Sequence, residues 1–282
     1  MSASTPHLPT LRLVLAISLD GRLAPPEGGA AQIGGRGDRR LLEEALAWSD
    51  AALLGAETLR RHGSTCLIHA ADLLEQRAQR GVSPQPLALV ASRSGRLPAA
   101  LPFFSQPVER WLLLAQASGQ VAASEALPAV PSGSPAADQG APLAPVADPD
   151  PAAAQAQGSL PDDAAGSASR AHAPLAAALQ GGFTRVIPME GWESALSQLA
   201  AAGLERLVVL GGAALAASLL AENRLDELQL TLCPQLLGGA HTWLGPTTLL
   251  PGAARGGWRL LEQRRLEGEE LLLRYGRMGT AG

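Results

Sequence analysis

The chain has 282 residues, and all of its 22 basic side chains are arginine. The absence of lysine excludes Schiff-base catalysis and any phosphate-binding P-loop, because both require a lysine side chain. A net charge of −4 argues against a dedicated nucleic-acid-binding protein. Two cysteines, and five histidines without metal-ligand spacing, predict neither a disulfide framework nor a metal site.

The sequence gives no sign of a membrane or secretory protein. No apolar run reaches the roughly 18 to 20 residues that are needed to span a bilayer. The N-terminal segment lacks the basic start and apolar core of a secretory signal. We therefore expect a cytoplasmic protein with no membrane partner.

Residues 116–182 differ in composition from the rest of the chain. They are dominated by Ala, Pro, Gly and Ser, contain no aromatic residue, and show neither strand nor helix periodicity. Such a segment buries too little apolar surface to offset its ordering entropy. We expect a disordered insertion within a single domain that spans residues 1–282, since the entropy of closing a loop grows only slowly with its length.

Elsewhere, short apolar runs alternate with helical segments. The nearly continuous apolarity of the runs is typical of strands that are covered on both faces, as in a parallel sheet. In chain order, the predicted strands are 11–18, 51–56, 86–92, 110–115, 185–189 and 206–212, and the clearest predicted helices are 38–50, 191–203 and 213–224. The first helix is predicted to begin with Asp38 as its N-cap and to expose Glu43 and Glu44 to solvent.

The C-terminal part of the chain has a different pattern. Residues 227–234 alternate between polar and apolar, and residues 258–276 predict two strands that turn near Glu267-Gly268. We expect Glu269 and Glu270 to be solvated in this turn. The whole pattern predicts an α/β fold, with about nine strands in a mostly parallel central sheet, helices on both faces and a C-terminal antiparallel hairpin.

Four glycine-containing turns follow predicted strands, at the edge where open α/β sheets bind ligands. They are Ser-Leu-Asp-Gly-Arg at 18–22, Gly-Ala-Glu-Thr at 55–58, Ser-Arg-Ser-Gly at 92–95 and Gly-Gly-Ala at 211–213. A glycine pair before a helix lets the backbone approach a phosphate, and the helix N-terminus supplies N–H donors. One such turn is usually only a tight turn. Four in order indicate a site for a phosphate-bearing cofactor.

Six motifs occur along the chain in a fixed order: ISLDGR (17–22), GAETL (55–59), ALVASR (88–93), VVLGGAAL (208–215), LDEL (225–228) and CPQLLGG (233–239). With these motifs the chain resembles the reductase domain of bacterial riboflavin biosynthesis proteins. That resemblance implies a dihydrofolate reductase-like fold. The motifs of the family's zinc deaminase domain do not occur in the sequence, so we expect a stand-alone reductase.

The resemblance implies NADPH-dependent hydride transfer to the ribose of a 5-phosphoribosylamino-pyrimidine, which gives a ribitylamino product. The general acid would be Asp20 or water. Positions that match the family's cofactor site are Ala16, Ser18, Asp20, Gly21, Gly55, Thr58, Ser92, Arg93, Leu210, Gly211, Gly212 and Ala213. An arginine at position 93 favours NADPH over NADH. Members of the family commonly form homodimers, and we expect one here.

Several positions depart from the family's pattern. On the substrate side, Leu210 stands where the family has a glutamate, and Leu46 and His69 stand where it has arginines. His62 stands where an aspartate is common. Either the substrate phosphate is bound by other arginines, or the substrate is different; the candidate arginines are Arg36, Arg39 and Arg61. Two alternatives stay open: a reductase of this fold with another substrate, and a non-catalytic NADPH-binding module.

Overall fold

The computed structural model describes residues 7–28, 33–115, 182–245, 248, 250, 252 and 257–278. Within these ranges the chain forms one nine-stranded sheet with helices on both faces. None of the helices in this part of the chain combines the length and the apolarity that crossing a membrane would require. The predicted insertion at 116–182 lies outside the described residues, apart from Gly182.

Seven parallel strands and an antiparallel hairpin form the sheet. In chain order the strands are β1 (Thr10–Ser18), β2 (Ala51–Gly55), β3 (Leu87–Ser92), β4 (Arg110–Ala115), β5 (Arg185–Met189), β6 (Arg206–Val209), β7 (Glu227–Cys233), β8 (Trp258–Arg265) and β9 (Leu271–Arg277). Their order in space is β5-β4-β3-β2-β6-β1-β7-β9-β8. The hairpin formed by β8 and β9 is antiparallel and lies at one edge. The α/β fold predicted from the sequence is therefore confirmed.

Five α-helices occur in the described ranges: α1 (Arg36–Trp48), α2 (Ala56–His62), α3 (Ala71–Gln79), α4 (Trp192–Ala201) and α5 (Ala213–Ala221). Helices α1, α4 and α5 begin and end within three residues of the predicted bounds. The sequence pattern does not predict α2 and α3. The first of these has only seven residues, and the second buries a charged side chain, Arg77, beside its one buried leucine, Leu73.

The central parallel strands β1, β2, β3 and β6 are apolar at consecutive positions because both of their faces are buried. Alternate residues of β1 point to opposite faces. Leu13 and its odd-numbered neighbours pack with α4 and α5 in the largest core cluster. Val14 points the other way and packs against Leu46 of α1 and Ile68 before α3. The face that α1 covers therefore also carries Ala16 and Ser18.

The N-terminus of α1 is capped by a residue from the far end of the chain. The helix begins after Gly35, and the carboxylate of Glu270 accepts hydrogen bonds from the backbone N–H groups of Gly35 and Asp38. The prediction that Asp38 is the N-cap is wrong, because Asp38 lies in the first turn. The prediction that Glu270 is solvated is also wrong. Its exposed fraction is 3%, because its negative charge meets the unpaired N–H groups of the helix.

Two buried charged side chains join α1 to α3. The guanidinium of Arg77 is buried and donates to three backbone carbonyls at and just beyond the C-terminal end of α1. The Glu43 carboxylate accepts hydrogen bonds from the N–H groups of His69 and Ala70, just before α3. The prediction that Glu43 faces solvent is therefore wrong, whereas Glu44 is partly exposed and forms ion pairs at the surface.

Candidate active site

The turns that follow β2 and β6 meet at the carboxyl edge of the sheet, because these two strands are paired in parallel. Gly212 has φ +96°, and a Cβ at this position would lie 2.8 Å from the hydroxyl oxygen of Thr58. Gly211 has φ +66°, and a Cβ there would lie 3.1 Å from the side chain of Leu15. Both positions require glycine, for the backbone angle and for the close approach. The structure thus brings the Gly55–Thr58 turn and the glycine pair together.

Helix α5 begins directly after this glycine pair. Its first residue is Ala213, its N-cap is Gly212, and no side chain caps it. The N–H groups of its first turn therefore have no side-chain acceptor, and they form the positive end of the helix dipole. Leu210, which precedes the pair, is half-buried at the same edge. A glycine cradle with a free helix N-terminus fits the phosphates of a dinucleotide cofactor.

The turn after β1 is held to the loop that follows β7. The Asp20 carboxylate accepts hydrogen bonds from the Ser18 hydroxyl at 2.5 Å and from the N–H groups of Leu237 at 3.1 Å and Gly238 at 2.8 Å. The guanidinium of Arg22 lies 3.5 Å from the same carboxylate. Asp20 therefore holds the two loops together at the carboxyl edge, and we call this set of contacts the latch.

These contacts bear on the predicted chemistry of Asp20. The hydrogen bond from Ser18, followed by the two backbone hydrogen bonds, holds the pKa of the Asp20 carboxyl well below its usual range. A carboxylate that is ionised at neutral pH has no proton to donate. The structure therefore argues against Asp20 as the general acid. The placement of Asp20 and Gly21 beside the nicotinamide stays a prediction.

Ser92 and Arg93 lie at the carboxyl end of β3, which is paired with β2. The buried Ser92 hydroxyl accepts a hydrogen bond from the N–H of Gly95 at 3.0 Å and so closes the turn. Arg93 is exposed. From α2, the guanidinium of Arg60 reaches this turn and donates to the carbonyl of Arg96 at 2.8 Å. Three arginines thus belong to the edge where the resemblance places the adenosine phosphate.

The face of the sheet that α1 covers is partly open near the end of β1. Ala16 is half-buried, although most residues of β1 are buried. It is paired in register with Thr231 of β7. The hydroxyl of Ser18, which is fully buried, accepts a hydrogen bond from the N–H of Arg22. Ala16 therefore marks an accessible position beside the latch.

The three arginines proposed for the substrate phosphate differ in their surroundings. Arg36 and Arg39 lie in the first turn of α1 and are exposed. Arg61 lies in the last turn of α2, where its guanidinium is paired with Glu57 at 3.1 Å. Arg36 and Arg39 share one helix turn at the carboxyl edge, so they are better placed than Arg61 to bind a phosphate together.

The structure also locates the positions that depart from the family's pattern. Leu46 is fully buried in the core between α1 and the sheet, so this position does not face a ligand. His62 ends α2, and His69 precedes α3; both are exposed. Of these positions, Leu210 is the one that lies directly at the glycine pair.

The sequence did not reveal a cluster around Asp38. The Asp38 side chain is half-buried; burial first, and then the nearby Glu270, raise its pKa. The neighbouring Cys233 is fully buried, and burial raises its pKa to about 12, so this thiol belongs to the core. The detectable signal was the glycine-rich segment 33–38. A Cβ at Gly34 would overlap with the Asp38 carboxylate, so the backbone closes onto that side chain.

Comparison with known proteins agrees with this arrangement. The family model of the RibD C-terminal domain matches residues 9–127 and 171–264. The class of protein is thus a riboflavin-pathway reductase. The chain belongs to the RibD C-terminal domain family, which is the family that its motifs resemble. No curated protein matches the sequence.

Solved structures support the same fold. A pyrimidine reductase-like protein from Corynebacterium diphtheriae superposes with a TM-score of 0.65 at 17% identity, over 96% of this chain and 92% of that protein. Acinetobacter baumannii RibD gives 0.64 at 18% identity, over 96% of this chain but only 58% of the longer RibD chain. The Saccharomyces cerevisiae riboflavin biosynthesis reductase Rib7 gives 0.50 at 11% identity, over 98% and 93% of the two chains.

Proposed function

We propose that this protein is an NADPH-dependent reductase that acts on the ribose of a phosphorylated ribosylamino-pyrimidine. The observation that carries the proposal is the approach of Gly212 to the Thr58 hydroxyl, which puts the uncapped N-terminus of α5 beside the turn after β2. Membership of the RibD C-terminal domain family supports the reaction class. The name of the pyrimidine reductase-like structural relative supports a pyrimidine substrate.

Each part of the cofactor has a candidate partner in this chain. NADPH would supply the hydride when bound. The N–H groups at the start of α5 and the glycine pair would hold its pyrophosphate, with the Thr58 hydroxyl as a further donor. Arg93, helped by Arg60, would pair with the 2′-phosphate, because a guanidinium offers two parallel donors to a phosphate.

The substrate would lie beside the cofactor, on the face of the sheet that α1 covers. Arg36 and Arg39 would bind its phosphate. The latch at Asp20 would hold the loops after β1 and β7 in place, so that the site is ordered before the ligands arrive. Since Asp20 is ionised, water would deliver the proton.

The activity is tested with the purified full chain, NADPH or NADH, and the ribosylamino-pyrimidine phosphate in its aminated and deaminated forms. We expect consumption of NADPH with at least one form and a ribitylamino product identified by mass spectrometry. Binding of NADPH without turnover would favour the non-catalytic module. Failure of both binding and turnover would contradict the proposal.

The cofactor cradle is tested by the substitution Gly212→Ala, with Gly203→Ala as its control. Both glycines have a positive φ, but Gly203 has no atom within 4 Å of its added Cβ. Each substitution therefore costs about 1–2 kcal/mol of unfolding free energy through backbone strain. Only Gly212→Ala also drives a methyl group against Thr58, so only this variant should lose NADPH affinity in calorimetry. Equal NADPH affinity in the two variants would contradict the assignment of the glycine pair to cofactor binding.

A further inference from the structure

The first turn of α1 carries two cations that have no partner in the described part of the chain. Arg36 is the first residue of the helix and Arg39 is the fourth, and both are exposed. Neither guanidinium forms an ion pair or a hydrogen bond with another described residue. Cations are unfavourable at the positive end of a helix dipole, and like charges three residues apart repel each other. The arrangement therefore favours an anionic ligand at this turn.

The hairpin turn at residues 266–270 holds this part of α1 in place from outside the helix. Gly35, the N-cap residue, has no side chain that could accept from the first N–H groups. Glu270 takes over this role, because its carboxylate accepts hydrogen bonds from the N–H groups of Gly35 at 2.5 Å and Asp38 at 3.1 Å. A Cβ at Gly35 would lie 3.1 Å from the same carboxylate. A glycine at the N-cap thus makes room for a cap that another element supplies.

A second glycine of the helix packs directly against the hairpin turn. A Cβ at Gly37 would lie 2.7 Å from the Cβ of Leu266 and 3.3 Å from the backbone nitrogen of Glu267. Neither atom is the end of a flexible side chain, so the close contact requires a residue without a side chain at position 37. Gly37 directly follows Arg36. The hairpin turn therefore contacts the backbone that carries the unpaired cations.

Glu270 fixes this backbone without neutralising the two arginines. Its exposed fraction is 3%, and its carboxylate is engaged by backbone N–H groups. Its negative charge offsets the positive end of the helix dipole, which would otherwise destabilise two guanidinium groups in the same turn. Both guanidinium groups consequently stay available to a ligand, while the helix turn from which they extend is held in one position.

We propose that Glu270 is a positioning residue for substrate binding: with the hairpin turn it fixes the first turn of α1, so that Arg36 and Arg39 bind the substrate phosphate together. This inference rests on the proposed function for the identity of the phosphate-bearing ligand. It goes beyond it by giving the C-terminal hairpin a role in substrate affinity, through α1 rather than on the ligand itself. Arginine side chains are long and flexible, so their joint affinity for a phosphate depends on where the backbone places them.

The test measures KM for the ribosylamino-pyrimidine with and without its phosphate, in the wild type and in Gly37→Ala. Alanine forms helices better than glycine, so without the hairpin turn this substitution would be stabilising. The clash with Leu266 should instead displace the first turn and raise KM for the phosphorylated form about tenfold, the loss expected for one charge-assisted hydrogen bond. KM for the form without phosphate, kcat and NADPH affinity should hardly change. An equal change of KM for both forms would overturn the proposal.

Three further variants separate positioning from a general loss of structure. Gly37→Ala combined with Leu266→Gly removes the Cβ with which the alanine clashes, so most of the phosphate preference should return. Glu270→Gln should resemble Gly37→Ala, because the amide turns a donor toward the helix N–H groups. Glu269→Gln changes an exposed carboxylate of the same turn that is paired with Arg265, and it should keep the wild-type KM. No rescue in a double variant that binds NADPH normally, or equal effects of Glu269→Gln and Glu270→Gln, would overturn the proposal.

Calorimetry with ribose 5-phosphate and ribose separates this proposal from the proposed function, because it needs no turnover. Preferential binding of ribose 5-phosphate by the wild type, reduced about tenfold in Gly37→Ala and kept in Glu269→Gln, would support the positioning role even if no NADPH were consumed. Equal affinity of the wild type for the two sugars, or an unchanged preference in Gly37→Ala, would overturn that role even if turnover were observed.

Discussion

At the scale of single residues, Asp20 shows how a conspicuous carboxylate in a glycine-containing turn acquires a structural role. Its oxygens accept hydrogen bonds from one side chain and two backbone N–H groups. These bonds lower its pKa in the folded protein relative to the unfolded chain. Its stabilising effect is therefore fully present above the unfolded pKa of about 3.9 and is lost as the pH falls through the folded pKa.

The first prediction is that Asp20→Asn lowers the melting temperature at neutral pH and that this difference shrinks in acid. The asparagine amide replaces one acceptor oxygen with a donor that faces the N–H groups of the β7 loop. Thermal unfolding of both proteins between neutral pH and strong acid measures the effect. The difference should be constant down to about pH 4 and decrease below it. Glu75→Gln, an exposed position on α3, should show no such difference.

The same variant tests the chemistry. A general acid contributes about 10²–10⁴-fold to a rate. Because Asp20 is ionised in the folded protein, we expect kcat of Asp20→Asn to fall by much less than that. A loss of kcat within that range, with NADPH affinity retained, would restore Asp20 as the proton donor.

Glycines were more predictable than buried charges at this scale. Gly211 and Gly212 stand in a motif, and the need for a positive φ is a property of the residue itself. The partners of Glu43, Arg77 and Glu270 are backbone groups of other elements, and no local sequence pattern predicts these contacts. A charged residue with no visible partner was therefore predicted to be solvated, and for Glu43 and Glu270 this was wrong.

At the scale of elements, α1 is fixed at both ends by charged residues from elsewhere in the chain. Glu270 accepts hydrogen bonds at its N-terminus, and Arg77 donates to carbonyls at its C-terminal end. Each charge is opposite in sign to the end of the helix dipole that it meets. Because Asp38 and the two candidate phosphate-binding arginines stand in the first turn, the cap at Glu270 also orders one side of the candidate site.

The second prediction concerns this cap. Glu270→Gln should lower the unfolding free energy by about 1–2 kcal/mol, because the amide keeps one acceptor and turns a donor toward the helix N–H groups. Denaturant unfolding measures the change. The matched control is Glu269→Gln, since Glu269 is exposed and paired with Arg265 at the surface. An equal effect of both substitutions would show that Glu270 does not act as a cap.

At the scale of the whole molecule, the central strands were predictable because a parallel sheet buries both of its faces. Such strands therefore require apolar residues at consecutive positions of the sequence. Strands β1 to β6 followed from that pattern, whereas β7 and the edge hairpin were predicted from the different pattern of the C-terminal part of the chain. Helices α2 and α3 did not, since short helices that dock on an existing sheet need little amphipathic pattern of their own. The site followed in part: its glycine turns are local, whereas Asp20 and the loop after β7 meet only in the folded protein.

The last prediction concerns the segment between β4 and β5. The family model matches residues up to 127 and again from 171, so residues 128–170 lie between the two matched parts. We expect a chain in which Leu127 is joined directly to Ala171 to fold and to keep its NADPH affinity. The residues that remain, 116–127 and 171–184, would still connect Ala115 at the end of β4 to Arg185 at the start of β5.

The energetic argument for this deletion is that loop-closure entropy depends only logarithmically on length, so the shorter connection changes the stability by about 1 kcal/mol or less. Thermal unfolding and NADPH calorimetry on the full-length and shortened chains measure both quantities. A stability loss of several kcal/mol would show that residues 128–170 pack against the folded domain. A selective loss of NADPH affinity, with stability retained, would instead place part of this segment at the cofactor site.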